Sequence, residues 1–235
     1  GENFNATKKA CVRLAKYKLE ELKKSIKDFV LKTGIDGIDY DWEYPQLPHE
    51  WHAYDKILLA SKEALNGGTL SVALWPYGVM LSKKARACID NVNIMAYDQF
   101  DNRGDHSSIY KCGLKAVNYF SKLGFLKEQL CLGIPFYGRT ADRYAIWLNF
   151  QESYGKWDNT RENFCYDGKN GKKRTSTVFL NGCAMVRDKT ALALHANLGG
   201  IMIYNTTCDV SYESEYSLHK AVETVLKQRI EGYGN

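Results

Sequence analysis

Several things are scarce or missing in this sequence of 235 residues. No apolar run approaches the roughly 18 residues that suggest a membrane span. No cysteine pair has CxxC spacing and no histidine lies near one in a zinc-like pattern, so neither a metal nor a cofactor is expected. The seven cysteines, at 11, 88, 112, 131, 165, 183 and 208, are too few for a disulfide-built scaffold. They are compatible with a few bridges in a secreted enzyme, and an odd count leaves at least one thiol unpaired within the chain. The net charge is +5, but its clusters, Lys23-Lys24, Lys83-Lys84 and Lys172-Lys173-Arg174, are short and not interleaved with aromatics. A nucleic-acid partner is therefore not indicated. Residues Gly1 to Thr7 are polar and lack the apolar core of a signal peptide, although a chain that does not begin with Met need not show one. Two sequons, Asn5-Ala6-Thr7 and Asn205-Thr206-Thr207, permit glycosylation of a secreted protein.

What is present is an alternation of apolar, strand-like runs with amphipathic helical stretches. Leu19, Leu22, Ile26, Phe29 and Val30 share one face of a helix over 19–33. A strand from Ile35 to Glu43 follows, then a helix over 50–65 with Trp51, Tyr54, Leu58 and Leu65 at helical spacing, ended by Asn66-Gly67-Gly68. Strands are expected at 70–75, 92–97, 130–134 and 200–204, and further helices at 108–123, 185–196 and 214–230. The polar stretch 139–177 reads as loop with a short hairpin. No repeat, low-complexity tract or linker interrupts the chain, so residues 1–235 are expected to form one domain. Such alternation predicts a parallel α/β sheet covered by helices, open or closed into a barrel. Five strand-and-helix units at about 30 residues each, plus one long loop, fit the length.

The informative segment is Asp36-Gly37-Ile38-Asp39-Tyr40-Asp41-Trp42-Glu43-Tyr44-Pro45. Residues two apart in a strand share a face, so Asp39, Asp41 and Glu43 point one way and Ile38, Tyr40 and Trp42 the other. The apolar set suits a helix-covered face. The acids then line the interior at intervals of about 7 Å. Carboxylates this close raise one another's pKa, and the row is expected to hold a proton near neutral pH. Glu43 stands at the carboxyl end of the strand, where barrel enzymes carry their chemistry, and a proton held there could be given to a leaving-group oxygen.

The run D-G-I-D-Y-D-W-E resembles the DxxDxDxE signature of the family 18 glycosyl hydrolases, the chitinases and their relatives. Three further segments are similar to that family in the same order. These are Val92-Asn93-Ile94-Met95-Ala96-Tyr97-Asp98, the stretch from Leu132 to Arg139, and the stretch from Leu198 to Tyr204. The resemblance implies a (β/α)8 TIM barrel. It also implies hydrolysis of β-1,4 linkages between N-acetylglucosamine units of chitin or its oligosaccharides, with no α+β insertion domain. In this family the substrate's own acetamido oxygen attacks the anomeric carbon, so no second enzymic carboxylate is needed as nucleophile. By that resemblance Glu43 is the general acid and base, Asp41 orients the acetamido group, and Asp39 shares a proton with Asp41. Tyr97 binds the acetamido oxygen and Asp98 contacts the sugar. Met95, Arg139 and Trp75 are further candidates for substrate contact.

Two departures from the family pattern stand out. Tyr204 replaces the usual tryptophan under the sugar, a smaller platform. The matches also begin near the end of the family's third strand, so strands one to three are expected to be missing from this chain. Either a missing N-terminal segment or another chain completes the barrel, or the fold differs here. Trp147 and Trp157 are additional sugar-stacking candidates. Rival readings are an endo-β-N-acetylglucosaminidase acting on N-glycans and a non-catalytic chitin-binding lectin. The latter typically lacks the glutamate that this chain keeps at 43.

Overall fold

The computed structural model describes residues 4–99, 112–140, 146–152, 161–167 and 173–232. Trp157, the expected start of a helix at 108–111, Phe100 and the first three residues lie outside them. The chain forms two compact units, one of residues 1–95 with 117–131, the other of 96–116 with 132–235.

The first unit opens with two helices, α1 (Phe4–Tyr17) and α2 (Leu19–Thr33). The sequence reading missed α1 because its apolar residues form a thin stripe. Cys11, Val12, Leu14 and Ala15 nevertheless pack with Ala53 and Ile57. On α2 the expected face is only partly right. Ile26 is buried, but Phe29 is 54% exposed. Strand β1 spans Gly37–Tyr40, shorter than the expected 35–43, so Asp41 and Glu43 lie on the segment just beyond it. Helix α3 (Pro48–Leu65) buries Trp51, Tyr54, Leu58 and Leu65, the four residues that its periodicity singled out. Strand β2 (Thr69–Leu74), helix α4 (Lys83–Cys88) and strand β3 (Asn91–Ile94) follow. β1 pairs with β2 and β2 with β3, both parallel, as the alternation predicted. A helix, α5 (Leu114–Lys122), precedes strand β4 (Leu130–Pro135), whose first two residues belong to this unit.

Gly37 sets how closely β1 approaches β2. It is paired with Thr69 in the register, and a Cβ on residue 37 would come within 2.2 Å of the Thr69 carbonyl oxygen. No side chain can share that space.

In the second unit β4 continues into β5 (Tyr137–Thr140), followed by β6 (Trp147–Asn149), β7 (Arg161–Asp167) and β8 (Lys173–Phe179). These last four form an antiparallel sheet in the order β6-β5-β8-β7. The described residues of the stretch expected as loop with one short hairpin are thus largely sheet. Their polar composition hid them from a reading by apolar runs. Helix α6 (Cys183–His195), strand β9 (Gly200–Tyr204) and helix α7 (Leu218–Gly232) complete the unit, and β9 neighbours β4. Asp209 ties the segment after β9 to α7. Its buried carboxylate accepts from the backbone N–H groups of Val210, Leu218 and His219, from Ser217 Oγ, and lies 2.6 Å from His219 Nδ1.

No disulfide joins Cys11, Cys88, Cys112, Cys131, Cys183 and Cys208, so the few bridges that the cysteine count allowed are not formed among these six. Burial raises the pKa of Cys11, Cys88, Cys131, Cys183 and Cys208, which keeps those five thiols protonated. Among the described residues no helix is long and apolar enough to cross a membrane.

A Gly37→Ala exchange is expected to destabilise the protein by about 3 kcal/mol, because two backbones must separate to admit one methyl group. A urea denaturation midpoint unchanged from wild type would show that β1 and β2 can part freely.

Candidate active site

The acidic segment is built from the parity of β1. Trp42 is 6% exposed and meets Tyr54 of α3 edge-on, with ring centroids 5.2 Å apart. Tyr54 also lies edge-on to Tyr40 at 6.4 Å and donates its hydroxyl to the Tyr40 carbonyl. The Tyr40 hydroxyl is 2.8 Å from Ser61 Oγ. Tyr40 and Trp42 thus face the helix layer, as expected, and Asp39 and Asp41 alternate with them. The acids are not sealed inside, however. Asp39 and Asp41 are exposed and Glu43 is half-buried.

The two aspartates sit in different surroundings. Asp39 is opposite Ser71 in the register, and its Oδ1 accepts from Ser71 Oγ and, at 3.0 Å, from Asn93 Nδ2. Both contacts fix the orientation of the Asp39 carboxyl. Asp41 has its pKa raised, first by the protein that crowds its carboxyl and then by the charge of Asp39, even though part of the residue reaches solvent.

Beyond Glu43 the chain turns through Tyr44, whose ring packs at a tilt on Trp75, 5.7 Å away. Tyr44 and Trp75 line a cavity of about 370 Å³ with Trp42, Trp51, Leu74 and Tyr77. The indole Nε1 of Trp42 is buried without a hydrogen-bond partner. The Glu43–Tyr44 and Tyr204–Asn205 peptides are both cis. Met95, just past β3, is 3% exposed and packs in the core.

The second unit assembles another group of the expected residues. Asp98 adopts a positive φ of 55° and is gripped by Arg139, with Nε 3.0 Å from Oδ1 and Nη2 2.6 Å from Oδ2. The Tyr137 hydroxyl donates to the same carboxylate at 2.7 Å. Burial first, then the Asp98 charge, raises the Tyr137 pKa far above its ordinary value, so this phenol remains a donor. Arg139 and Asp98 are thus joined by a two-pronged, charge-assisted pair. Tyr97 is 7% exposed, and its ring lies nearly parallel to that of Tyr204, with centroids 6.0 Å apart. Tyr204 itself is 46% exposed and forms an open aromatic surface. Trp147 stacks on Tyr137 at 3.6 Å with its edge towards Tyr204.

Sequence reasoning had not named Ser71, Asn93 or Tyr137. Ser71 was accessible from strand register alone, since a polar residue directly opposite an acid on a parallel neighbour shares its face. Tyr137 stood inside a recognised segment, but its partner Asp98 is 39 residues away, a closeness that only folding creates.

The family model for glycosyl hydrolases family 18 matches residues 12–209. The chain therefore belongs to that family. Probable chitinase 2 of Drosophila melanogaster is 30% identical over 139 residues, covering 50% of this chain and 28% of that protein. Chitinase A1 of Niallia circulans is 24% identical over 261 residues, covering 88% of this chain and 36% of its own length. Among solved structures, a plant class V chitinase mutant from Cycas revoluta, in complex with (GlcNAc)3, superposes with a TM-score of 0.74 at 18% identity. That match covers 94% of this chain and 77% of the plant chain. The fold is accordingly the α/β barrel type of family 18 chitinases, and among the described residues five strands, β1 to β4 and β9, belong to it. It spans about a third or less of the length of the two curated relatives.

An Asp39→Asn variant is expected to lower the titration midpoint of Asp41 while leaving it above the ordinary carboxylate value, since burial remains. Carboxyl 13C shifts followed against pH measure this. A midpoint that stays put would mean that the two groups are not electrostatically coupled.

Proposed function

We propose that the chain hydrolyses β-1,4 linkages between N-acetylglucosamine units by substrate-assisted retaining catalysis, with Glu43 as general acid and then general base. The observation that carries this reading is the Asp39–Asp41 pair. Asp39 accepts from Ser71 and Asn93, and crowding followed by the charge of Asp39 raises the pKa of Asp41.

In this reading the proton that Asp41 shares passes to Asp39, and the Asp41 carboxylate accepts from the acetamido N–H, which holds the attacking carbonyl in line with the anomeric carbon. As positive charge grows on the resulting oxazolinium ring, the Asp41 anion stands beside it. Glu43 protonates the leaving oxygen, and its carboxylate then takes a proton from the water that opens the ring. The family resemblance assigns sugar contacts to Tyr97, Asp98 and Tyr204. In this reading Arg139 and Tyr137 act by holding Asp98 ionised and oriented, and Trp75 acts with Tyr44 beside Glu43. The (GlcNAc)3 bound to the Cycas revoluta relative supports a chitooligosaccharide as the partner.

Glu43→Gln is expected to lower kcat on chitotetraose by about 100- to 10,000-fold while binding of the same sugar changes little. Assays of chitin oligomers beside a high-mannose glycopeptide separate the rival readings. Turnover of the glycopeptide alone makes the chain an endo-β-N-acetylglucosaminidase, and binding without turnover by the wild type makes it a lectin.

A second expectation concerns the Asp98 clamp. Arg139→Leu leaves Asp98 without its bidentate partner and is expected to raise KM for chitotetraose about tenfold, whereas Arg139→Lys restores part of it. Equal kinetics in both variants would remove Arg139 from any positioning role.

A further inference from the structure

Away from the acidic segment, the face of α1 is unusual in its charge. The helix carries Lys8, Lys9, Arg13 and Lys16 and no acidic residue. Lys9, Arg13 and Lys16 recur at i, i+4 and i+7 and fall along one stripe, with Lys8 on its flank. The neighbouring α2 also has four lysines, but it has Glu20, Glu21 and Asp28 among them. There Lys23 pairs with Glu20 and with Glu63 of α3, and Lys24 pairs with Asp28. Lys18, between the two helices, pairs with Glu21. Among the described residues, no carboxylate pairs with Lys9, Arg13 or Lys16, and Lys8 donates to the neutral side chain of Gln46 at 2.8 Å.

This stripe forms one wall of a concavity of about 510 Å³, lined by all four cations with Val12, Tyr17, His49 and Glu50. Glu50 is the one acid there, and the backbone N–H groups of Gln46 and Leu47, then the charge of Lys8, lower its pKa, so it offsets part of the Lys8 charge. It is 5% exposed, and its Oε2 accepts the backbone N–H groups of Gln46 (2.6 Å) and Leu47 (3.0 Å) at the start of α3. Tyr17, 67% exposed, offers an aromatic face, with the Lys16 ammonium 4.8 Å from its ring centroid.

Four like charges around one hollow, against a single buried carboxylate, repel one another, and a bound anion removes that repulsion while forming charge-assisted hydrogen bonds with them. The uncharged sugars proposed for the acidic site would not do so. We propose that the α1 hollow is a second binding site, separate from the acidic segment, for a ligand bearing several sulfate or phosphate ester groups. The spacing of the cations along two turns of helix, roughly 10 Å from Lys9 to Lys16, asks for at least two anionic groups on one ligand. This site does not depend on the hydrolytic reading.

The test is titration calorimetry of the whole chain in 50 mM salt with a sulfated hexasaccharide, a linear polyphosphate of similar length, and neutral chitohexaose. At least one of the two anionic probes is expected to bind at the hollow, and the comparison of sulfate with phosphate identifies which group it prefers. The triple variant Lys9→Glu, Arg13→Glu, Lys16→Glu is expected to weaken that binding at least tenfold. A control with the same charge change elsewhere, Lys27→Glu, Lys32→Glu, Lys122→Glu, exposed residues outside the hollow, is expected to keep most of it. The single variant Arg13→Gln guards against misfolding of the triple variant and should weaken binding severalfold with an unchanged circular dichroism spectrum. Equal weakening by the triple variant and the control would reduce the effect to net charge and overturn the proposal. So would failure of both anionic probes to bind the wild type.

Discussion

Trp42 against Tyr54 is the contact on which the geometry of the first unit's site rests. An indole ring buried beneath the end of β1 leaves no freedom in which side of the chain faces the helices, because a shift of one residue would exchange every inward side chain for an outward one. With Tyr40 and Trp42 held against α3, Asp39, Asp41 and Glu43 fall on the other side. The aromatic group of Tyr40, Trp42, Trp51 and Tyr54 thus does for the acids what a scaffold does for a catalytic set. It positions them without touching the chemistry, and it does so with apolar contacts that do not themselves titrate near neutral pH.

The same short segment also separates two identical functional groups. Asp39 and Asp41 are two residues apart and chemically alike, but one receives two hydrogen-bond donors and the other receives crowding and a neighbour's negative charge. Crowding, then the charge of Asp39, raises the pKa of Asp41. The second unit manages its carboxylate differently. Asp98 is held by Arg139 and Tyr137, so its charge is balanced locally and its orientation is set by a planar fork. Burial, then the Asp98 charge and the hydrogen bond to it, raises the Tyr137 pKa, so the phenol stays a donor to that carboxylate.

Much of this could be read from residues in a row. The register of α3 followed from Trp51, Tyr54, Leu58 and Leu65, and β9 matched its expected bounds because Gly200 to Tyr204 is an uninterrupted apolar run after a glycine pair. Helix α1 was overlooked because its apolar stripe is narrow and its surface is crowded with lysines, so only its packing on Ala53 and Ile57 reveals it. The antiparallel sheet between β5 and β8 was read as loop because its strands carry Arg, Glu, Lys, Thr and Ser at positions that a helix-covered strand would fill with Val or Ile. Phe29 was placed on a buried face by periodicity alone, and the fold leaves it exposed.

The amino-acid sequence by itself determined the parity of the acidic segment, the parallel α/β order and the family, since each depends on residue types at fixed spacing along a local stretch. Only the tertiary structure decided that Asp41 is crowded enough to have its pKa raised, that Arg139 is committed to Asp98, and that the cations of α1 gather round one hollow with a single acid. Those outcomes turn on residues that are far apart in the chain, such as Asp39 with Asn93 or Lys8 with Gln46. Hydrogen bonds and electrostatic fields act through space, and the order of residues along the chain does not state which of them will meet.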